Sequence, residues 1–466
     1  MLARRVSMFV YVFAVFSGSI VSADDAKTAK PKIIISKATT HITSPLTKDG
    51  QVDYAGALNE FYGKGVTPQN NAVVLFYKLF GAKPDGIDRP DEFFRLLGMP
   101  KPKPSGNHYI NLGVYLDDTL KVDLSSKRYG RVLDDQGLAM DGPWKSSDFP
   151  EIAGWLEMNK KPLTRLQEAT RCPRYFLPIV WKDGEEREFY GLTDLQLPNV
   201  QRMRSFARAL SARAMLHLGE GRQEAAWQDL MACHRLGRLV SQGPMLIEPL
   251  VGFAISSVAR GGTLVFLEHT QPTSKQNAAY LRDLDTLAPL PDMAEVIDRV
   301  ERYNYLDFTI MAANSSEKDL SGGFEQFDEG LGRLLSGVPS NGVDWNVTLR
   351  TGNAWYDRLV VAMKKPTHFD RKVALDKLDA EWKALSKNTK DTAKRFAAAR
   401  TKPQEMGRLV GNMMAAFSFR SSPRYNRPRI ALYRSTPTSA LLSRSLATRL
   451  TMGSTPSLSI NWLQGI

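Results

Sequence analysis

Apolar residues recur three and four positions apart through most of the chain, which predicts a mainly α protein. Thr67-Pro68 predicts a helix running through Asn71, Val74, Leu75 and Leu79 to a stop at Gly81, with a cap, a proline in the first turn and a terminal glycine. A short helix is predicted from Asp88 through Phe93, Phe94, Leu96 and Leu97 to Gly98. The run Met99-Pro100-Lys101-Pro102-Lys103-Pro104 then forbids helix and makes a stiff connector. Between Tyr109 and Val132, Tyr109, Leu112, Tyr115, Val122 and Leu124 suggest extended segments. Ser147-Asp148 predicts the cap of a helix carrying Ile152, Trp155 and Leu156, and Pro162 the start of another carrying Leu163, Leu166 and Ala169. Two apolar runs, Phe176 to Trp181 and Glu188 to Tyr190, flank Lys182-Asp183-Gly184-Glu185 and predict a small β-hairpin.

The clearest unit spans Asn199 to Gln242. One helix carries Met203, Phe206, Leu210, Ala214 and Leu218, Gly219-Glu220-Gly221 makes the turn, and a second carries Ala225, Ala226, Leu230, Cys233 and Leu236. This pattern is an αα-hairpin. Gly221 to Trp227 resembles the turn and second helix of a tetratricopeptide repeat, but no clean second copy follows at that period, so a peptide-binding array does not follow. Further helices are predicted at 245–269, 273–288, 291–313, 351–363, 369–386 and 391–417. The expected architecture is an array of helical hairpins, with tetratricopeptide-like packing compatible with it, plus one small β-hairpin.

The ends differ from this body. Arg4 and Arg5, the apolar run Val6 to Val21 and Val21-Ser22-Ala23 read as a signal peptide, residues 1–23. An uncleaved membrane anchor is the alternative, although the run falls short of the ~20 residues that span a bilayer. Residues 24–39 read as a mobile leader containing Ile33-Ile34-Ile35, 40–198 as an N-terminal helical region, and 199–419 as the helical hairpin domain. The run Met245 to Leu267 reads as a buried helix rather than a span, because Glu248, Arg260 and Gly261-Gly262 interrupt it. An exported chain, periplasmic or extracellular, with no membrane span after cleavage is the expectation.

The net charge of +13 raises the question of a polyanionic partner. Residues 420–466 hold seven arginines and no lysine or acid; without them and without residues 1–23 the body carries +4. The charge therefore sits in a Ser-, Thr- and Pro-rich tail that reads as disordered, or as the product of a shifted reading frame. Nucleic-acid binding does not follow.

No phosphate loop, zinc-protease helix, nucleophile elbow or Cys-x-x-Cys is present, so no cofactor, metal or catalytic residue is assigned and the question of an enzyme stays open. Cys172 and Cys233 are the candidate disulfide, with two cysteines that never meet as the equal alternative. His217, His234 and Cys233 are a poor metal set, because adjacent helical residues point about 100° apart. Asp283 with Asp285, Asp292 with Glu295, and Asp376 with Asp379 are nominal acid/base pairs that read better as solvated helix faces. Trp144, Trp155, Trp181, Trp227, Trp345, Trp355 and Trp382 suggest a carbohydrate groove, but their helical spacing favours core.

Thr40-His41-Ile42-Thr43-Ser44-Pro45-Leu46, Asp49-Gly50-Gln51-Val52-Asp53-Tyr54, Ala57-Leu58-Asn59 and Gly65-Val66-Thr67-Pro68-Gln69-Asn70-Asn71-Ala72 form a denser motif. It resembles the opening of a family of uncharacterised exported proteins of planctomycete-type bacteria. The likeness continues through Trp155-Leu156, Asn159, Pro162-Leu163, Arg208-Ala209-Leu210 and Trp227-Gln228-Asp229-Leu230 to about residue 310, two thirds of the chain. It implies export and no particular activity. Caps and turns account for most of the motif's polar residues; Asp53, Asn59, Asn70 and Asn71 are the candidates for any further role. The functional expectation is a non-catalytic binding or scaffold protein of the cell envelope, acting on another envelope protein or a peptide. An exported hydrolase with a dispersed carboxylate and histidine site is the alternative.

Overall fold

A computed structural model describes residues 31–81, 83–84, 88–104, 106–181, 192, 199–314, 320, 329–386 and 389–420. The predicted signal peptide, the turn and second arm of the predicted β-hairpin at 182–191, and the arginine-rich stretch 421–466 lie outside the described residues. Within them the chain is helical, and its β pairing is limited to isolated bridges, Leu46 with Val52 and Asn71 with Arg174.

In order, the helices are α1 Tyr54–Gly63, α2 Ala72–Phe80, α3 Asp91–Leu96, α4 Leu112–Val114, α5 Lys127–Asp141, α6 Pro150–Met158 and α7 Lys160–Ala169. They continue as α8 Asn199–Gly219, α9 Gln223–Val240, α10 Ile247–His269, α11 Ser274–Asp285, α12 Met293–Val296 and α13 Arg302–Asn314. The last are α14 Glu329–Leu335, α15 Trp345–Met363, α16 His368–Ser386, α17 Thr389–Ala399 and α18 Pro403–Arg420. Wider π turns follow α4 and α12, at Tyr115–Thr119 and Ile297–Glu301.

The predicted αα-hairpin is present as α8 and α9, joined through Gly219-Glu220-Gly221, where Gly221 has φ +79°. α10 completes a tight three-helix unit against both. Its closeness is set by glycine: a Cβ on Gly237 of α9 would meet the Gly252 carbonyl of α10 at 2.9 Å. α10 is long and apolar enough to cross a membrane, but Glu248, Val251, Ile255, Ala259 and Phe266 bury one side of it in the protein.

Local chemistry moved several predicted boundaries. Thr67-Pro68 forms a turn, closed by the Asn70 side chain accepting the Thr67 N–H at 2.8 Å, and α2 starts five residues on. Its cap is Asn71, which accepts the Val73 N–H, while Gly81 ends the helix at φ +83° as expected. The segment read as extended between Tyr109 and Val132 is mostly helical, in α4, the π turn and the start of α5. Tyr109, Leu112 and Tyr115 are spaced by three, which fits one helical face as well as a strand. Asp148 does not cap α6. Its carboxylate takes the Lys145 N–H in the preceding turn, and Pro150 opens the helix after Phe149.

Two hydrophobic cores form, and they do not divide at residue 198. One gathers residues 72–177 of α2 to α7 and the following segment with α8 to α11. The other joins Val52, Tyr54, Ala55 and Leu58 to α12, α13 and α15 to α18. The leader is likewise seated where it is described: Asn346 on α15 accepts the Ile34 N–H and donates to the Lys32 carbonyl. One turn pair later, Asn353 donates to the carbonyls of Ala38 and Thr39. Residues 32–39 are thus a strap across α15 rather than a mobile tail.

Cys172 and Cys233 are both free. Cys233 is buried in α9, with its Sγ 3.9 Å from the Ala207 carbonyl oxygen, and burial pushes its thiol up to about 12. Six of the seven tryptophans singled out above are buried, in both cores, and Trp181 is half-buried, so they form no common sugar groove, and of the seven it is Trp355 that reaches the wall of the cleft between α15 and α18.

Two buried titratable groups give the fold a pH signature. Glu248 accepts the Tyr175 O–H at 2.9 Å and the Met245 N–H at 3.1 Å, and burial pushes its carboxyl up to about 7. Its contribution to stability is complete below 4.5 and is lost as pH rises through about 7. His234 lies 2.9 Å from the Thr263 hydroxyl, and burial, helped by the charges of Arg238, Arg260 and Arg235, pushes it down to about 3. Its contribution is complete above 6.5 and is lost as pH falls toward about 3. Thermal melts of the wild type against pH should therefore decline on both sides of the mildly acidic range. Glu248→Gln should flatten the upper decline alone; an unchanged upper limb would remove Glu248 as its cause.

Candidate functional site

A surface cleft of about 650 Å³ lies between α15 and α18, lined by Val347, Arg350, Thr351, Ala354, Trp355, Arg358, Gln404, Arg408 and Asn412. The two helices run parallel, because contacts advance along both together. The Asp344 N–H donates to the Pro403 carbonyl, the Thr348 hydroxyl to the Gly407 carbonyl, and the Trp355 indole to Asn412 Oδ1 at 2.8 Å.

Glycine again sets the spacing. Gly407 and Gly411 sit four apart on α18, so they share a face. A Cβ on Gly411 would lie 2.9 Å from the Thr348 carbonyl and 2.8 Å from Thr351 Cβ, and one on Gly407 would strike the Asp344 carbonyl. With the backbones this close, the longer side chains flanking the contact are pushed outward and become the walls of a cleft. On α15 these are Val347, Arg350, Ala354 and Arg358; on α18 they are Gln404, Arg408 and Asn412, each four residues from the next.

The walls are cationic. Arg350 and Arg408 are exposed and make no ion pair among the described residues. Arg358 lies over the Trp355 ring at 4.5 Å and pairs with Glu381 at 2.5 Å. No carboxylate and no histidine lines the cleft. It can therefore bind an anion through guanidinium forks, apolar groups through Val347, Ala354 and the Trp355 edge, and amide groups through Gln404 and Asn412. It holds nothing that titrates near neutrality to move a proton.

Histidine and carboxylates converge elsewhere. His41 has φ +62°, an uncommon backbone state for a residue with a Cβ, and its ring lies 6.3 Å from that of Tyr303. Burial lowers its pKa, as does the charge of Arg302, against opposing pulls from Asp298 and Asp357. Both carboxylates are committed to Arg302: its buried guanidinium meets Asp298 at 2.5 Å and Asp357 at 2.8 Å. A second set surrounds Asp229. Arg213 holds it with bonds of 2.8 and 2.6 Å, the Gln167 amide donates to it at 2.6 Å, and His217 Nε2 lies 3.7 Å away. In both sets an arginine neutralises the carboxylate that a histidine would use, so each acts as an ion-pair lock.

The candidates from sequence fall to structural tasks. Asp53 caps α1 by accepting the Gly56 N–H. Asn59 exchanges two hydrogen bonds with the backbone of Ile179, and Asn71 two with that of Phe176, and these side chains hold the run 176–179 in place. Asn70 closes the Thr67 turn. Asp283 accepts the Trp227 indole N–H at 2.7 Å, Asp292 caps α12, and Asp376 and Asp379 each pair with a lysine one turn away. No group of three or more metal-ligating side chains occurs among the described residues. The cleft arginines escaped sequence reasoning; the only local signal was the Gly407-x-x-x-Gly411 spacing, which marks a close helix contact.

No family model, curated protein or solved structure matches this chain.

Proposed function

We propose that the protein is a non-catalytic binding protein of the cell envelope that seats its partner in the cleft between α15 and α18. One observation carries the reading: the cleft presents Arg350, Arg358 and Arg408 and neither a carboxylate nor a histidine, so it is equipped to hold a ligand and not to transform one. The compartment rests on the charged and apolar signal pattern of residues 1–23 and on the resemblance of residues 40–72 to exported proteins. The hydrolase alternative has two convergent histidine and carboxylate sets to draw on, but Arg302 and Arg213 already occupy their acids.

Site-directed crosslinking in the producing cell tests the proposal. A photo-crosslinking side chain at the exposed position Ala354 should give a discrete adduct, whereas the same group at exposed Lys161, on α7, should not. Charge reversal by Arg350→Glu with Arg408→Glu should abolish the adduct while leaving the melting temperature within about 2 °C, since exposed substitutions away from packing change stability little. No adduct at Ala354, or one that survives charge reversal, overturns the reading.

A further inference from the structure

Resting on that reading, we infer that the ligand of the cleft is an acidic polypeptide segment in extended conformation. The argument is one of spacing and sign. Arg350 and Arg408 stand at the same level of the two parallel helices, since Thr348 meets Gly407 and Thr351 meets Gly411 there. They form one cationic station, free of ion pairs among the described residues. Arg358 forms a second, eight residues further along α15, or about 12 Å at the helical rise; one of its guanidinium nitrogens pairs with Glu381 at 2.5 Å, so a ligand carboxylate there shares the guanidinium with that acid. A single compact anion reaches one station only. An extended chain spaces alternate side chains about 7 Å apart and every fourth about 13 Å apart, so carboxylates four residues apart match both stations at once.

The wall between the stations fits the rest of such a chain. Ala354 and the half-buried Thr351 leave a shallow floor, and Gln404 and Asn412 offer amide groups to a peptide backbone. Asn412 Oδ1 already takes the Trp355 indole N–H, which fixes the amide and aims its NH₂ as a donor. The protein's own basic stretch 420–466 has the wrong sign to be the occupant, with seven arginines and no acid.

Two acids close in sequence to this end of the cleft are already engaged. Asp344 accepts the Val347 N–H as the cap of α15, and Glu405 pairs with Lys402 at 3.4 Å.

The test is anisotropy of a labelled peptide of about ten residues alternating glutamate and alanine, titrated with the full mature chain. Saturable binding is expected, weakened about tenfold or more by either Arg350→Glu or Arg408→Glu, as for loss of one charge-assisted pair. Arg350→Lys should restore part of it, because charge returns without the fork. A single-stranded oligonucleotide of equal charge and inorganic phosphate are the competing probes. If either competes as well as the peptide, or if the peptide binds the double reversal as tightly as the wild type, the acidic-peptide assignment is overturned. If the peptide does not bind while the Ala354 adduct still forms, the assignment fails and the binding reading survives. Loss of both removes the two together.

Discussion

Asp229→Ala is expected to destabilise the protein by about 3–5 kcal/mol, because it leaves the buried guanidinium of Arg213 without its counter-charge. Asp229 has a fully buried side chain and takes three hydrogen bonds, two from Arg213 and one from the Gln167 amide, which ties α7, α8 and α9 together at one point. The loss is larger than the pair's net worth, since desolvating two ions cancels much of their attraction in the intact protein. Replacing both partners, as in Arg213→Met with Asp229→Ala, should therefore recover a substantial part of the loss. Urea denaturation with matched slopes reads the difference directly. A single variant within about 1 kcal/mol of the wild type would show that the pair behaves like an exposed one.

Trp227→Ala is expected to cost a similar amount, about 3–5 kcal/mol, by a different mechanism. The indole is almost fully buried, lies 4.3 Å from the Tyr280 ring and 5.4 Å from the Phe266 ring between centroids, and fills the space among α9, α10 and α11. Removing it opens a cavity walled by rings that cannot collapse into it easily. Trp227→Phe keeps most of the volume and loses the 2.7 Å bond to Asp283, so the difference between the two variants separates packing from hydrogen bonding. Equal losses would mean that the indole N–H, not the ring, holds the site. Near-UV circular dichroism together with the denaturation midpoint checks both.

Features that depend on neighbours along the chain were legible in the sequence. The α8–α9 hairpin follows from a helical period on each side of Gly219-Glu220-Gly221, and the Gly81 stop from a backbone state that glycine adopts readily. Errors arose where two local explanations share one pattern. Thr67-Pro68 and Asn71 both satisfy the chemistry of a helix start, and only the tertiary bonds of Asn71 to Phe176 decide between them. The polar motif between Asp53 and Asn71 was visible, and its use in caps and backbone bridges agrees with what such residues do most often. The cleft was not legible, because Arg350 and Arg408 are ordinary exposed residues on helices far apart in the chain. Their meaning comes from the glycine contact that brings those helices together.

The strap over α15 bears on how the molecule is made. Its partner Asn353 lies 315 and 314 residues beyond the carbonyls of Ala38 and Thr39. A chain that emerges N-terminus first must hold residues 32–39 in waiting until most of the protein has been synthesised. Only then does the earliest segment find its seat on a late one, and the second core, which also needs Val52 to Leu58, closes with it. Folding of the second core is thus completed by the last helices to arrive.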